Sequence, residues 1–115
     1  MAVQAYRSAI DLKPDHVDAR FRISIIYSQQ AKYNEAINEF LQLIAIIPET
    51  PALYYNIACL EARQNNHEKA VDWLKKAMHH GYDNWDHIKT DPDLENIRNT
   101  IYFQTLMTNM YIDPE

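Results

Sequence analysis

The octet Tyr33–Phe40, Y-N-E-A-I-N-E-F, returns further along the chain as His67–Leu74, H-E-K-A-V-D-W-L. Ala36 and Ala70 mark the phase of this 34-residue period, and Pro14 and Pro48 stand at the same interval. A chain that repeats at a period of roughly 20–50 residues builds supersecondary units that stack on their neighbours, because one unit alone cannot bury its apolar face. This one feature excludes most closed globular folds before any local pattern is read.

The units are helical. A single glycine in 115 residues, among many Ala, Ile, Leu and Gln, disfavours sheet and favours helix. Residues 2–12 carry Ala2, Ala5, Tyr6, Ala9 and Ile10 near helical spacing, and Pro14 ends that helix by pushing its predecessor out of helical conformation. Asp15 is the expected N-cap of the next helix, over about 16–30. Asn34 opens or caps a third, which runs to about Ile47 and stops at Pro48. Thr50-Pro51 reads as an N-cap followed by a proline whose missing N–H is harmless in a first turn. That helix runs to about Gln64, and Asn65-Asn66 turns the chain into a helix over 67–80. Gly81 closes it as a left-handed C-cap. Past Gly81 the 34-residue pattern is expected to fail. Asp83 and Asp91-Pro92 would each start a short helix, and a last one runs from Thr100 to about Met110.

Ala2, Tyr6 and Ala9 fall one full period before Ala36, Phe40 and Leu43. Residues 1–14 are therefore expected to be the second helix of an incomplete repeat, followed by repeats at 15–48 and 49–82 and an atypical helical cap at 83–115.

The spacing resembles the tetratricopeptide repeat, a helix–turn–helix unit with large and small residues at fixed offsets. The landmark positions hold Arg20, Ile23, Ser24, Tyr27, Ala36, Phe40 and Pro48 in one unit. In the next they hold Tyr54, Ile57, Ala58, Glu61, Ala70, Leu74 and Tyr82. Arg20, Ser24, Glu61 and Tyr82 depart from the family's usual aromatic, glycine, tyrosine and proline. The segment from Gly81, with G-Y-D-N-W and D-P-D-L-E, is similar to the closing segment of many bacterial members. The resemblance implies an all-α, right-handed solenoid of antiparallel helix pairs, and a concave side lined by the first helix of each unit. It places Asp18, Phe21, Arg22, Ile25 and Gln29 on that side, followed by Ala52, Tyr55, Asn56, Cys59 and Arg63. Phe21 with Tyr55, and Ile25 with Cys59, would stack into an apolar strip. Arg22 and Arg63 would flank it and take a carboxylate by charge-assisted hydrogen bonds.

The implied function is protein–protein interaction, a groove offered to a peptide or helix of a partner. Some members clamp the C-terminal carboxylate of heat-shock chaperones with lysines, asparagines and an arginine. Asn56 matches one such position, but Phe21 and Ile25 stand where Lys and Asn are needed. A second reading is that Val3, Tyr6 and Ile10 of the unpaired opening helix serve self-association with another copy of the chain, or pair with upstream repeats of a longer parent chain.

Other classes find little support. The net charge of −5 and the scattered Lys and Arg argue against a nucleic-acid backbone or an anionic membrane surface as partner. No apolar run reaches the ~20 residues that span a bilayer, and Met1–Arg7 lacks the pattern of a signal peptide. The lone Cys59 forms no internal disulfide and leaves the redox compartment open. It has no His or Lys at helical spacing to activate it. A phosphate-binding loop needs more glycines than this chain has. His79, His80 and His87, near Asp83 and Asp86, are the sole candidates for a metal, but they lack the His-x3-His spacing that lets two imidazoles hold one ion. No cofactor and no catalysis are expected.

Overall fold

The computed structural model describes residues 2–13 and 16–112, with side chains from 3 to 109. Among the described residues seven α-helices follow one another: α1 (Ala2–Leu12), α2 (Val17–Gln29), α3 (Tyr33–Ile46), α4 (Pro51–Arg63), α5 (His67–His79), α6 (Trp85–Thr90) and α7 (Ile101–Ile112). A 3-10 turn, Pro92–Ile97, separates the last two, and no strand occurs among the described residues. Helix α2 forms an antiparallel hairpin with α3, and α4 with α5, while α1 packs on α2 and α3 on α4. The radius of gyration is 15.1 Å, against about 13 Å for a compact domain of this length. The molecule is an elongated stack.

Residues one period apart sit in matching surroundings. Ala36 and Ala70 are both fully enclosed, as are Ile23 and Ile57, Ser24 and Ala58, and Leu43 and Ala77. Phe40 and Leu74 fill the space beside those small residues. Small side chains let the paired helices close, and the large neighbour restores packing density. The turns repeat as well. Ala31 and Asn65 adopt left-handed φ of 58° and 62°, and Gly81 takes 108°. In each case the next residue's N–H reaches back to a carbonyl of the helix's last turn: Lys32 to Tyr27, Asn66 to Glu61, Tyr82 to Ala77. This satisfies carbonyls that a helix end otherwise leaves open.

Several caps differ from expectation. His16 caps α2, its Nδ1 accepting from the Ala19 N–H at 3.2 Å; Pro14 and Asp15 lie outside the described residues. Lys32 precedes α3, and Thr50 makes no side-chain cap bond to α4. Asn84, not Asp83, caps α6 through the His87 N–H at 3.1 Å.

The tail keeps the period in its boundaries and loses it in its packing. Helix α6 begins one period after α4 begins, the 3-10 turn ends one period after α4 ends, and α7 starts one period after α5. The expectation that the pattern fails past Gly81 is thus corrected for the element limits. Pro92 stands where Ala58 stands in α4, and it breaks that leading helix by removing a donor and clashing with the preceding turn. In α7 the buried residues are Phe103, Leu106 and Met107, not the positions matching Ala70, Val71 and Leu74.

Candidate functional site

Residues of α2 and α4 share one wall of the stack, and two hollows open along it. The first, about 420 Å³, is bounded by Tyr6 of α1 and by Asp18, Phe21, Arg22, Ile25 and Ile26 of α2. The second, about 300 Å³, runs from Ile25 and Gln29 past Phe40 to Asn56, Cys59 and Arg63. Ile25 belongs to both. Phe21 remains 39% exposed, held edge-on against Phe40 with ring centroids 6.2 Å apart at 73°. An aromatic ring kept at a concave surface by a buried neighbour is a ready contact for an apolar side chain.

The cations are placed differently from one another. Arg22 donates to Asp18 at 3.0 Å on the open surface, and hydrogen bonding to that carboxylate raises the guanidinium pKa. Arg63 lies over the Tyr33 ring at 5.2 Å and borders the second hollow. Both can turn a guanidinium toward an incoming carboxylate, since neither pairing removes the group from water.

Tyr55 does not line the open strip, and Cys59 borders the second hollow while almost fully buried. The cap folds over them, leaving Tyr55 5% and Cys59 7% exposed. Tyr55 stacks on Tyr82 at 4.3 Å and 3°, rather than on Phe21, and donates to Asp91 Oδ2 at 2.5 Å. Asp91 Oδ1 accepts from the Asp93 N–H at 2.9 Å and so caps the 3-10 turn. His87 Nε2 stands 3.1 Å from Asp91 Oδ2, and Arg98 fastens the segment by donating to the Asp91 carbonyl at 2.6 Å. Burial pushes the Tyr55 hydroxyl far above the ordinary phenol range, and its bond to Asp91 acts in the same direction. Burial, then the Asp91 charge, drives the Cys59 thiol up likewise. Such a thiol is a poor nucleophile.

The three histidines weighed as metal candidates do not converge. His80 stacks flat on Tyr54 at 4.3 Å, whereas His87 turns to Asp91. Among the described residues, the one trio of possible metal ligands with atoms within 4.8 Å of each other is Cys59, Asp91 and Asp93. There the Asp91 oxygens already accept from Tyr55 and the Asp93 amide, so the trio is accounted for as the anchor of the cap.

The opening helix is also partly spent. Ile10 is buried against Ala19 and Ile23, while Val3 and Tyr6 are half-buried. Sequence reasoning missed Glu39, a buried carboxylate that receives Arg7 at 2.9 Å and Arg20 at 3.3 Å and so ties α1, α2 and α3 together. The position matching Glu39 in the next unit is Trp73, so periodicity gave no signal for it. It also missed a hollow of about 320 Å³ between α5 and α7, where Ile101 and Tyr102 stay exposed beside Val71 and Leu106.

Comparison with known proteins agrees with this architecture. A tetratricopeptide repeat model matches residues 17–50 and 51–78, together more than half of the chain. A chloroplastic protein of Arabidopsis thaliana is 30% identical over 89 residues, covering 75% of this chain and 27% of that protein. Anaphase-promoting complex subunit 6 of the same plant is 30% identical over 79 residues, covering 69% of this chain and 14% of the relative. The chain thus spans about a quarter or less of the curated relatives it matches. With its paired helices, 34-residue period and enclosed alanines, the chain belongs to the tetratricopeptide repeat family.

Proposed function

We propose that this protein is an interaction module that receives a peptide or helix of a partner protein in the trough along α2 and α4, with no chemical step. The observation that carries the reading is Phe21, left open on the wall of the first hollow and flanked by Arg22. Tetratricopeptide repeats serve protein–protein interaction, and one relative is by its name a subunit of a larger complex. Apolar burial on Phe21 and Ile25 would supply affinity, and Arg22, Gln29, Asn56 and Arg63 would set orientation. Tyr55 supports this surface from beneath the cap instead of touching the ligand, and Cys59 lies almost fully buried at the edge of the second hollow.

The test is partner capture from a cell extract by immobilised protein, comparing the original chain with Phe21→Ala combined with Arg63→Glu. Captured proteins should be lost while the far-ultraviolet circular dichroism spectrum is unchanged. Undiminished capture by the double variant would refute the trough.

A further inference from the structure

The groove between α5 and α7 carries both halves of a self-matching surface. One edge is a single stripe of α5, made of Glu68, Asp72, Lys75 and His79. Their spacing of four, three and four residues puts all of them on one face of the helix, and all are exposed. The order along the stripe is acid, acid, base, imidazole. Lys76 is drawn aside over the Trp73 ring at 4.2 Å, which leaves Lys75 as the ammonium of the stripe.

The other edge is α7. Its first turn brings Ile101 and Tyr102 to the hollow of about 320 Å³, at the end beside Glu68 and Asp72. A smaller hollow, about 270 Å³, shares Lys75 and Leu106 with the first and ends at Met78 and His79. Ile101 is 70% and Tyr102 43% exposed, in places where the preceding repeat has His67 and Glu68. Packing within the chain gives no reason for an apolar pair there. The groove thus has an apolar knob flanked by acids at one end and an apolar recess flanked by cationic side chains at the other.

A two-fold rotation about an axis crossing the middle of α5 exchanges the two ends. Glu68 then meets His79 of a second copy, Asp72 meets Lys75, and the Ile101–Tyr102 knob meets the recess at Met78, each contact occurring twice. Both charge pairs are centred on the same point of the helix, between residues 73 and 74. An isologous contact requires that coincidence, and a contact with an unrelated chain does not. With the two α5 helices parallel, acid would meet acid and base would meet base. We propose that the α5–α7 groove is the interface of a homodimer in which the two α5 helices lie antiparallel. None of the residues lining the trough belongs to this surface, so the two readings stand or fall separately.

Sedimentation equilibrium of the full chain, from about 1 µM to about 1 mM, tests it. The mass should rise from one chain to two and stop there. Ile101→Ser combined with Tyr102→Ala, both changes on the open surface, should weaken the dimer at least about tenfold and leave the circular dichroism spectrum unchanged. Asp72→Lys and Lys75→Asp each set like charges against each other twice and should weaken it about tenfold. Mixing these two single variants should restore the dimer, because opposite charges face each other again in the mixed pair. A mass of one chain at every concentration would overturn the interface, as would growth beyond two chains. Failure of the mixed variants to recover would overturn the antiparallel setting and the interface with it. A rise that survives the α7 variant but is abolished by Tyr6→Ala would overturn it by assigning self-association to the opening helix.

Discussion

Ala36 and Ala70, each fully enclosed, set the distance between the helices of each hairpin. Ala36→Leu should overpack the α2–α3 contact and destabilise the chain by about 1–3 kcal/mol, seen as a lower midpoint in urea unfolding with the slope unchanged. A midpoint equal to that of the original chain would mean that the site can open at little cost. Tyr55 and Cys59 make a different prediction, in pH. Both hold their protons more tightly in the folded chain than at their ordinary values of 10.0 and 9.0. Above about pH 9 the unfolded chain releases these protons and the folded chain retains them, so the folded state binds more protons there. Stability is full below that range and falls as the pH rises through it. Thermal unfolding followed from pH 7 to 10.5 should show that fall, and the Tyr55→Phe, Cys59→Ala double variant should show less of it; equal slopes would count against the buried pair. The alanines were legible in the sequence because packing within a hairpin repeats with the period. The fates of Phe21 and Tyr55 were not, because they occupy one slot in the pattern and differ only in what stacks beyond them.

At the scale of elements, the hairpin turns show a local preference overridden by the repeat. Ala31 carries a Cβ in a left-handed conformation that asparagine and glycine tolerate better. Ala31→Gly should therefore stabilise the chain by roughly 1 kcal/mol, measured as a higher thermal midpoint; no change would mean that the turn relaxes when Ala31 is present. The tail illustrates the opposite case, a repeat overridden locally. Its boundaries keep to the period, but Pro92 splits the leading helix and Asp91 caps the 3-10 turn beyond the break. The broken segment lies across α4 and covers Tyr55 and Cys59. The residues D-P-D announce a helix start in the sequence. They do not announce that Asp91 meets Tyr55, since that pairing joins positions 36 apart and no periodic signal marks it.

For the whole molecule, the stack has two unlike ends. At the C-terminal end the broken helix closes the trough over its last aromatic. Toward α1 the apolar wall of Phe21 and Ile25 stays open, and that contrast is the basis of the functional reading. Ile25 and Cys59 occupy the same slot in successive units, which makes a thiol at each place a direct probe of the contrast. The rate of maleimide labelling is measured on the original chain and on the Ile25→Cys, Cys59→Ser variant under native conditions. If the trough is open at Ile25 and the cap covers Cys59, the thiol at position 25 reacts readily and Cys59 reacts at least about a hundredfold more slowly, gated by opening of the cap. Equal rates at the two positions would contradict the account.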